Sequence, residues 1–311
     1  MNLLEKEAQI ASLEAKLASD TLEDKEQRES VLEQINELKK EAYENLEPMD
    51  IVYLARHPKR PKAIDYIESL FPDFMELHGD RCFQDDGALQ GGLATFHGES
   101  VTILAQSKGK TLEENMERNF GMLHPEGYRK ALRLALQAEK FKRPIITLID
   151  TAGAYPGKGA EERGQAEAIA QCLETFSMIK TPVIAIVLSE GGSGGALAFS
   201  VADKIFMLEN AVYSILSPEG FASILWKDEK LAPKAARVME LTAKDLKRKG
   251  IIDTIIKEPI GGAHVCFEYV CEQIDELLVE SLKELHKKKE KVLLEERYDK
   301  FRKMGQRVET L

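Results

Sequence analysis

Residues 183–200 read VIAIVLSEGGSGGALAFS. The first six residues are apolar and four of them are β-branched. A strand covered on both faces reads as such an unbroken apolar run, not as an alternation. The run ends in a glycine turn, Gly191-Gly192-Ser193-Gly194-Gly195, and an alanine-rich helical stretch follows. The same design occurs upstream. IITLID (145–150) leads into TAGAYPG (151–157), and AEERGQAEAIAQCLETFSMI (160–179) has helical character. ALQGGLATF (88–96) and SVTILAQS (100–107) read as a strand pair around HGE, and HPEGYRKALRLALQAEKF (124–141) as a helix. KIFMLE (204–209), AVYSILS (211–217) and GIIDTII (250–256) read as further short strands. Strands separated by helices predict an α/β layered fold with a largely parallel sheet.

The ends of the chain differ from this middle. Residues 1–47 contain no glycine. Ile10, Leu13 and Leu17 share one helical face, and Val31, Ile35 and Leu38 another, after a break at ASDTLED. This predicts an αα-hairpin arm, serving either as packing on the main body or as a subunit contact. Residues 48–265 form the main domain and 266–311 a charged helical extension. Within ARHPKRP (55–61), the cluster Arg56, Lys59 and Arg60 stands out in a chain of net charge -10. It reads either as a solvated surface or as a site for phosphate groups.

The acidic balance argues against a general nucleic-acid binder. Cys82, Cys172, Cys266 and Cys271 form no C-x-x-C pair, so no metal site is expected, and they read as reduced core thiols. The N-terminus lacks a signal-peptide pattern and no apolar run reaches membrane-span length, which points to a cytoplasmic protein with no membrane role.

In parallel α/β folds ligands bind beyond the carboxyl ends of strands. Two glycine turns on consecutive strands can aim backbone N–H groups at one oxygen, the geometry of an oxyanion hole. Neither turn supplies a Walker A loop or a dinucleotide fingerprint. The rival reading is a serine hydrolase. Residues 191–195 satisfy G-x-S-x-G, with Ser193 as nucleophile, Asp203 or Asp253 as the acid, and His264 as the base.

RNFGMLHPEGYRKALRLALQAEKF, IDTAGAYPGKGAEERGQAEAIA, LSEGGSGGALA and SPEGFASILWKD, with ARHPKRP and ELHGDR, resemble the α subunits of bacterial-type acetyl-CoA carboxylase carboxyltransferases from about residue 50 to 265. The resemblance implies a crotonase-like fold of ββα superhelical turns. It implies transfer of a carboxyl group from carboxybiotin, on a biotin carboxyl carrier protein, to acetyl-CoA, giving malonyl-CoA for fatty acid synthesis. It also implies a β subunit of the same fold, carrying the zinc, in an α2β2 assembly that works with biotin carboxylase. By the same resemblance, the N–H groups of Gly191 and Gly192 face the biotin ureido oxygen, Gly153 and Ala154 complete the cradle, and Arg56, Lys59 and Arg60 are candidates for CoA phosphates. Ala152 stands where the family often has proline. Alanine adopts the same φ, so a softer turn with unchanged chemistry is expected.

Overall fold

A computed structural model describes residues 3–19 and 25–306. Helices α1 (Leu3–Ala18) and α2 (Lys25–Tyr43) pair as a hairpin, followed by α3 (Pro48–Ala55). The two predicted stripes meet: Ile10, Leu13 and Leu17 pack with Val31, Ile35 and Leu38, joined by Leu54 of α3. The arm thus covers its own apolar face and is anchored to the body, because Glu7 accepts hydrogen bonds from Tyr43 and Tyr53. Most of the ASDTLED break lies outside the described residues.

Eight strands make the sheet: β1 (Met75–Glu76), β2 (Leu89–Phe96), β3 (Glu99–Gln106), β4 (Ile145–Thr151), β5 (Val183–Gly192), β6 (Lys204–Leu208), β7 (Val212–Ser214) and β8 (Thr254–Ile256). Their order is β1-β2-β3-β4-β5-β6-β8, and β7 lies beside the end of β5. β2 and β3 form the expected antiparallel hairpin. From β3 onward every pairing is parallel. β4 is buried along its whole length, as its apolar run requires.

β5 changes partner along its course. Its first half pairs with β6, ending at Val187↔Met207, and its last three residues pair with β7. β4 flanks it throughout, with a bulge before Thr151↔Gly191. The glycine turn therefore leaves the sheet where the strand is held on both sides. Helices Pro125–Lys140, Gln165–Met178 and Ser193–Ser200 lie side by side against the sheet. Pro125 opens the first of them at a position where its missing N–H costs nothing.

The C-terminal helices Phe267–Leu285 and Glu290–Lys303 join the same core through Val270, Ile274, Leu278, Leu282 and Leu293. Arg297, 1% exposed, bonds the Asp203 carboxylate and the carbonyls of Phe176, Ile179 and Thr181. A buried guanidinium with this many acceptors is satisfied. The cysteines correct one expectation. All are free, but Cys82 and Cys266 are exposed and only Cys172 and Cys271 lie in the core. Among the described residues no helix is long and apolar enough to cross a membrane.

Candidate active site

The two glycine turns pack backbone against backbone. A Cβ on Gly192 would fall 2.0 Å from the carbonyl oxygen of Ala152 and 2.2 Å from its carbon. A Cβ on Gly195 would lie 2.6 Å from the nitrogen of Ala154. Side chains at these two positions would force the turns apart, so glycine here serves close approach. Ser193 has φ 55, a left-handed conformation that is strained for a residue with a side chain. It opens the helix Ser193–Ser200, whose N-cap is Gly192 with no side-chain cap. The first N–H groups of that helix have no side chain folded onto them, and the dipole favours negative charge there.

The structure removes one predicted donor. The N–H of Gly153 is already given to Thr151 Oγ1 at 3.1 Å, and that hydroxyl returns a bond to the Gly153 carbonyl at 2.8 Å. Gly153 thus shapes its turn and has no N–H to offer a ligand. Ala154 remains, half-buried and bridged to Leu123. Gly191 and Gly192 lie within β5, opposite Tyr213 and Ser214 of β7. Neighbouring N–H groups of an extended strand point to opposite edges, so the two do not converge on one oxygen. Beside the turn opens an apolar cavity of about 410 Å³ lined by Ser193, Leu197, Tyr213, Ile215, Phe301 and Met304, among others. Its size falls in the range of ligand pockets.

The basic cluster corrects the sequence reading most. Arg60 is neither solvated nor free for phosphate: it is 2% exposed, pairs with Glu258 at 2.7 Å, and donates twice to the Leu188 carbonyl. Arg56 is committed to Glu190 at 2.7 Å and to Glu219 at 2.8 Å. Of the three, Lys59 stands exposed without an ion pair among the described residues.

Sequence reasoning missed Lys108, Asp150 and Glu190. Lys108, just past β3, lies 2.7 Å from Glu190 and 3.1 Å from Asp150. The second contact is close enough for an ion pair but poorly aligned, since neither Asp150 oxygen has a hydrogen-bond partner. Burial alone would raise the Glu190 carboxyl, but Lys108 and Arg56 outweigh it and hold the group at about 2. Burial likewise opposes the Lys108 charge, and Asp150 and Glu190 outweigh it, so its ammonium is held above the usual range. The adjacency of Glu190 to the turn was the one available signal.

The hydrolase reading fails on geometry. Asp203 binds the N–H of Val183 and the guanidinium of Arg297, at the opposite end of β5 from Ser193. That strand spans about 30 Å at the usual rise. Asp253 binds the N–H of Ile205, at the same far edge. His264 stacks on His57 with ring centroids 4.2 Å apart. Among the described residues none of these three candidates is hydrogen-bonded to the serine. The described residues bring Glu76, His78 and Asp85 within metal-ligating distance of one another. The buried ammonium of Lys130 already stands 3.2 Å from Glu76 and 2.9 Å from Asp85, supplying the charge a cation would.

Comparison with known proteins bears on the whole chain. Residues 1–305 match the family described as acetyl co-enzyme A carboxylase carboxyltransferase-like. A protein of Anoxybacillus flavithermus named acetyl-coenzyme A carboxylase carboxyl transferase subunit alpha is 55% identical over 276 residues, 89% of this chain and 85% of its own. One of the same name from Alkaliphilus oremlandii is 52% identical over 311 residues, covering 98% of each. Among solved structures, a Pseudomonas malonate decarboxylase hetero-tetramer in complex with coenzyme A aligns with TM-score 0.60 and 17% identity, over 75% of this chain and 90% of that one. Transcarboxylase 12S, with methylmalonyl-coenzyme A and methylmalonic acid bound, aligns with TM-score 0.59 and 20% identity, over 72% and 41%. At such identities these likenesses speak for the fold, which is crotonase-like. Sheet, paired glycine turns and sequence agree that the chain belongs to the acetyl-CoA carboxylase carboxyltransferase family, as an α-type subunit.

Proposed function

We propose that this chain supplies the biotin half of a two-subunit carboxyltransferase site, moving a carboxyl group from carboxybiotin on a carrier protein to acetyl-CoA to give malonyl-CoA. Biotin, when bound, would supply the carboxyl group on a ureido nitrogen, and that nitrogen, once the C–N bond breaks, would take the acetyl α-proton as the new C–C bond forms. The task of this chain is to stabilise charge on the ureido oxygen. The uncapped N–H groups at the start of the helix Ser193–Ser200 and the N–H of Ala154 serve as donors, backed by the helix dipole, and the Gly191–Gly192 stretch, held between β4 and β7, sets their place. Backbone donors suit this role because they do not titrate and are fixed before reaction. The apolar cavity beside Ser193 is the place for the ring system. The observation that carries the reading is the absence of any room for a side chain at Gly192, which keeps the two turns in contact.

The thioester, the zinc and a second cradle belong to a β partner, so the lone chain is inactive. Lys59 is the remaining candidate here for a CoA phosphate. Carrier protein and biotin carboxylase complete the assembly. Purified chain with and without the partner, assayed for malonyl-CoA decarboxylation with free biotin and for ester hydrolysis, tests this. Activity that needs the partner and survives Ser193→Ala supports it. Esterase activity of the lone chain, abolished by Ser193→Ala, overturns it.

A further inference from the structure

The segment from Ala55 to Arg60 touches three consecutive residues at the end of β5. Arg60 donates to the Leu188 carbonyl at 3.0 and 2.8 Å. Ser189 Oγ donates to the Ala55 carbonyl at 2.6 Å. Arg56 Nε donates to Glu190 Oε1 at 2.7 Å. The next residue is Gly191, where the turn begins. Lys108 closes the far side of Glu190 through Oε2 at 2.7 Å, and Arg56 extends to Glu219 in the first turn of the helix Pro218–Trp226. Glu190 is thus gripped on its two oxygens by cations from two segments, and it precedes two glycines that have only their strand pairings to Thr151, Tyr213 and Ser214 to hold them.

A glycine peptide has more conformational freedom than any other. A backbone donor, however, is effective only when its direction is set before the reaction. We infer that Glu190 is a positioning residue, and that the Ala55–Arg60 segment is a strap which, with Lys108, fixes the orientation of the Gly191–Gly192 peptides. The inference rests on the cradle reading given above. The strap is the continuation of α3, whose Tyr53 bonds Glu7 of α1, so the N-terminal arm is coupled to the turn through one unbroken stretch of chain. The basic cluster is therefore an internal clamp on the donors.

The test uses the complex reconstituted with its partner subunit. Glu190→Gln keeps the volume but weakens both charged bonds. Misplacing a group by about 1 Å costs on the order of 100-fold, so kcat per assembled complex should fall about 10–100-fold. KM for the acyl-CoA should stay within about twofold, since this residue positions no part of that substrate. Amide hydrogen exchange over residues 188–193 should quicken. A residue serving stability alone would reduce the yield of complex and leave kcat per complex intact, and that result overturns the inference. If Glu190→Gln does not assemble, Arg56→Lys, which loses the guanidinium fork, carries the same expectation and the same refutation. Gly192→Ala run in parallel separates the two readings. An inactive Gly192→Ala beside a fully active Glu190→Gln sinks the strap alone, while two fully active variants sink the cradle and the strap together.

Discussion

Substitution of Gly192 by alanine puts the cradle under the most direct strain. The added Cβ would sit 2.0 Å from the Ala152 oxygen, 2.2 Å from its carbon and 2.8 Å from the Gly153 nitrogen. All three are backbone atoms of the neighbouring turn, so no rotamer change relieves the clash. Relaxed carbon contacts lie near ~3.5 Å, and the turns must therefore part by more than about 1 Å. Overpacking of this kind costs roughly 1–3 kcal/mol of stability, which a domain of this size survives. The catalytic cost is larger. Loss of one oxyanion donor is worth about 10²–10³ in rate, or ~3–4 kcal/mol, and a displaced donor approaches that limit. Malonyl-CoA decarboxylation in the reconstituted complex should fall about 100-fold or more, with assembly intact by size-exclusion chromatography. Gly87→Ala is the matched control, since a Cβ there meets nothing within 4 Å. If Gly192→Ala retained kcat within about threefold of Gly87→Ala, close approach of the turns would be irrelevant to the chemistry and the cradle would have to be abandoned.

Arg60→Ala strands the Glu258 carboxylate, whose side chain is fully buried, and should cost about 3–5 kcal/mol by urea denaturation. Replacing both partners by methionine should recover most of that loss, and a single-mutant cost below about 1 kcal/mol would contradict the buried-pair account. His264 is held down to about 4 from 6.5, first by burial and then by neighbouring His57. A depressed histidine contributes stability that is complete above pH 6.5 and is lost as pH falls toward about 4. His264→Phe keeps an aromatic ring beside His57 and should flatten melting temperature against pH across that window. An unchanged pH slope in the variant would rule His264 out as its source.

What the sequence made legible was what depends on short-range pattern. The continuous apolar runs of β4 and β5 announced a parallel buried sheet, and the glycines after each run mark where the two strands end, the edge proposed for the ligand. The heptad-like spacing of Ile10, Leu13 and Leu17 announced a hairpin that the structure closes on itself. Two features had no such signal. AVYSILS yields a strand of only three residues, because β7 exists by pairing with the last turn of β5 and not by its own propensity. The direction of an N–H is likewise unreadable: Thr151 Oγ1 takes the Gly153 donor two residues away, and only coordinates show it.

The basic cluster shows why charge is the least readable property here. Counted along the chain, Arg56 and Arg60 are cations in a polar stretch with nearby prolines, and a solvated or phosphate-binding role follows naturally. Their partners lie 134 and 198 residues away, at Glu190 and Glu258. No local spacing links them, so the sequence cannot distinguish a free cation from a buried clamp. The opposite error threatens at Ser193, where G-x-S-x-G supplies a familiar local spacing without the distant partners a triad needs. A site whose donors are backbone amides leaves its mark as missing side chains. At Gly192 that mark is a close approach no other residue permits, whereas the side chains proposed to orient it act through Glu190 and are Arg56, just after α3, and Lys108, just after β3, far off in sequence.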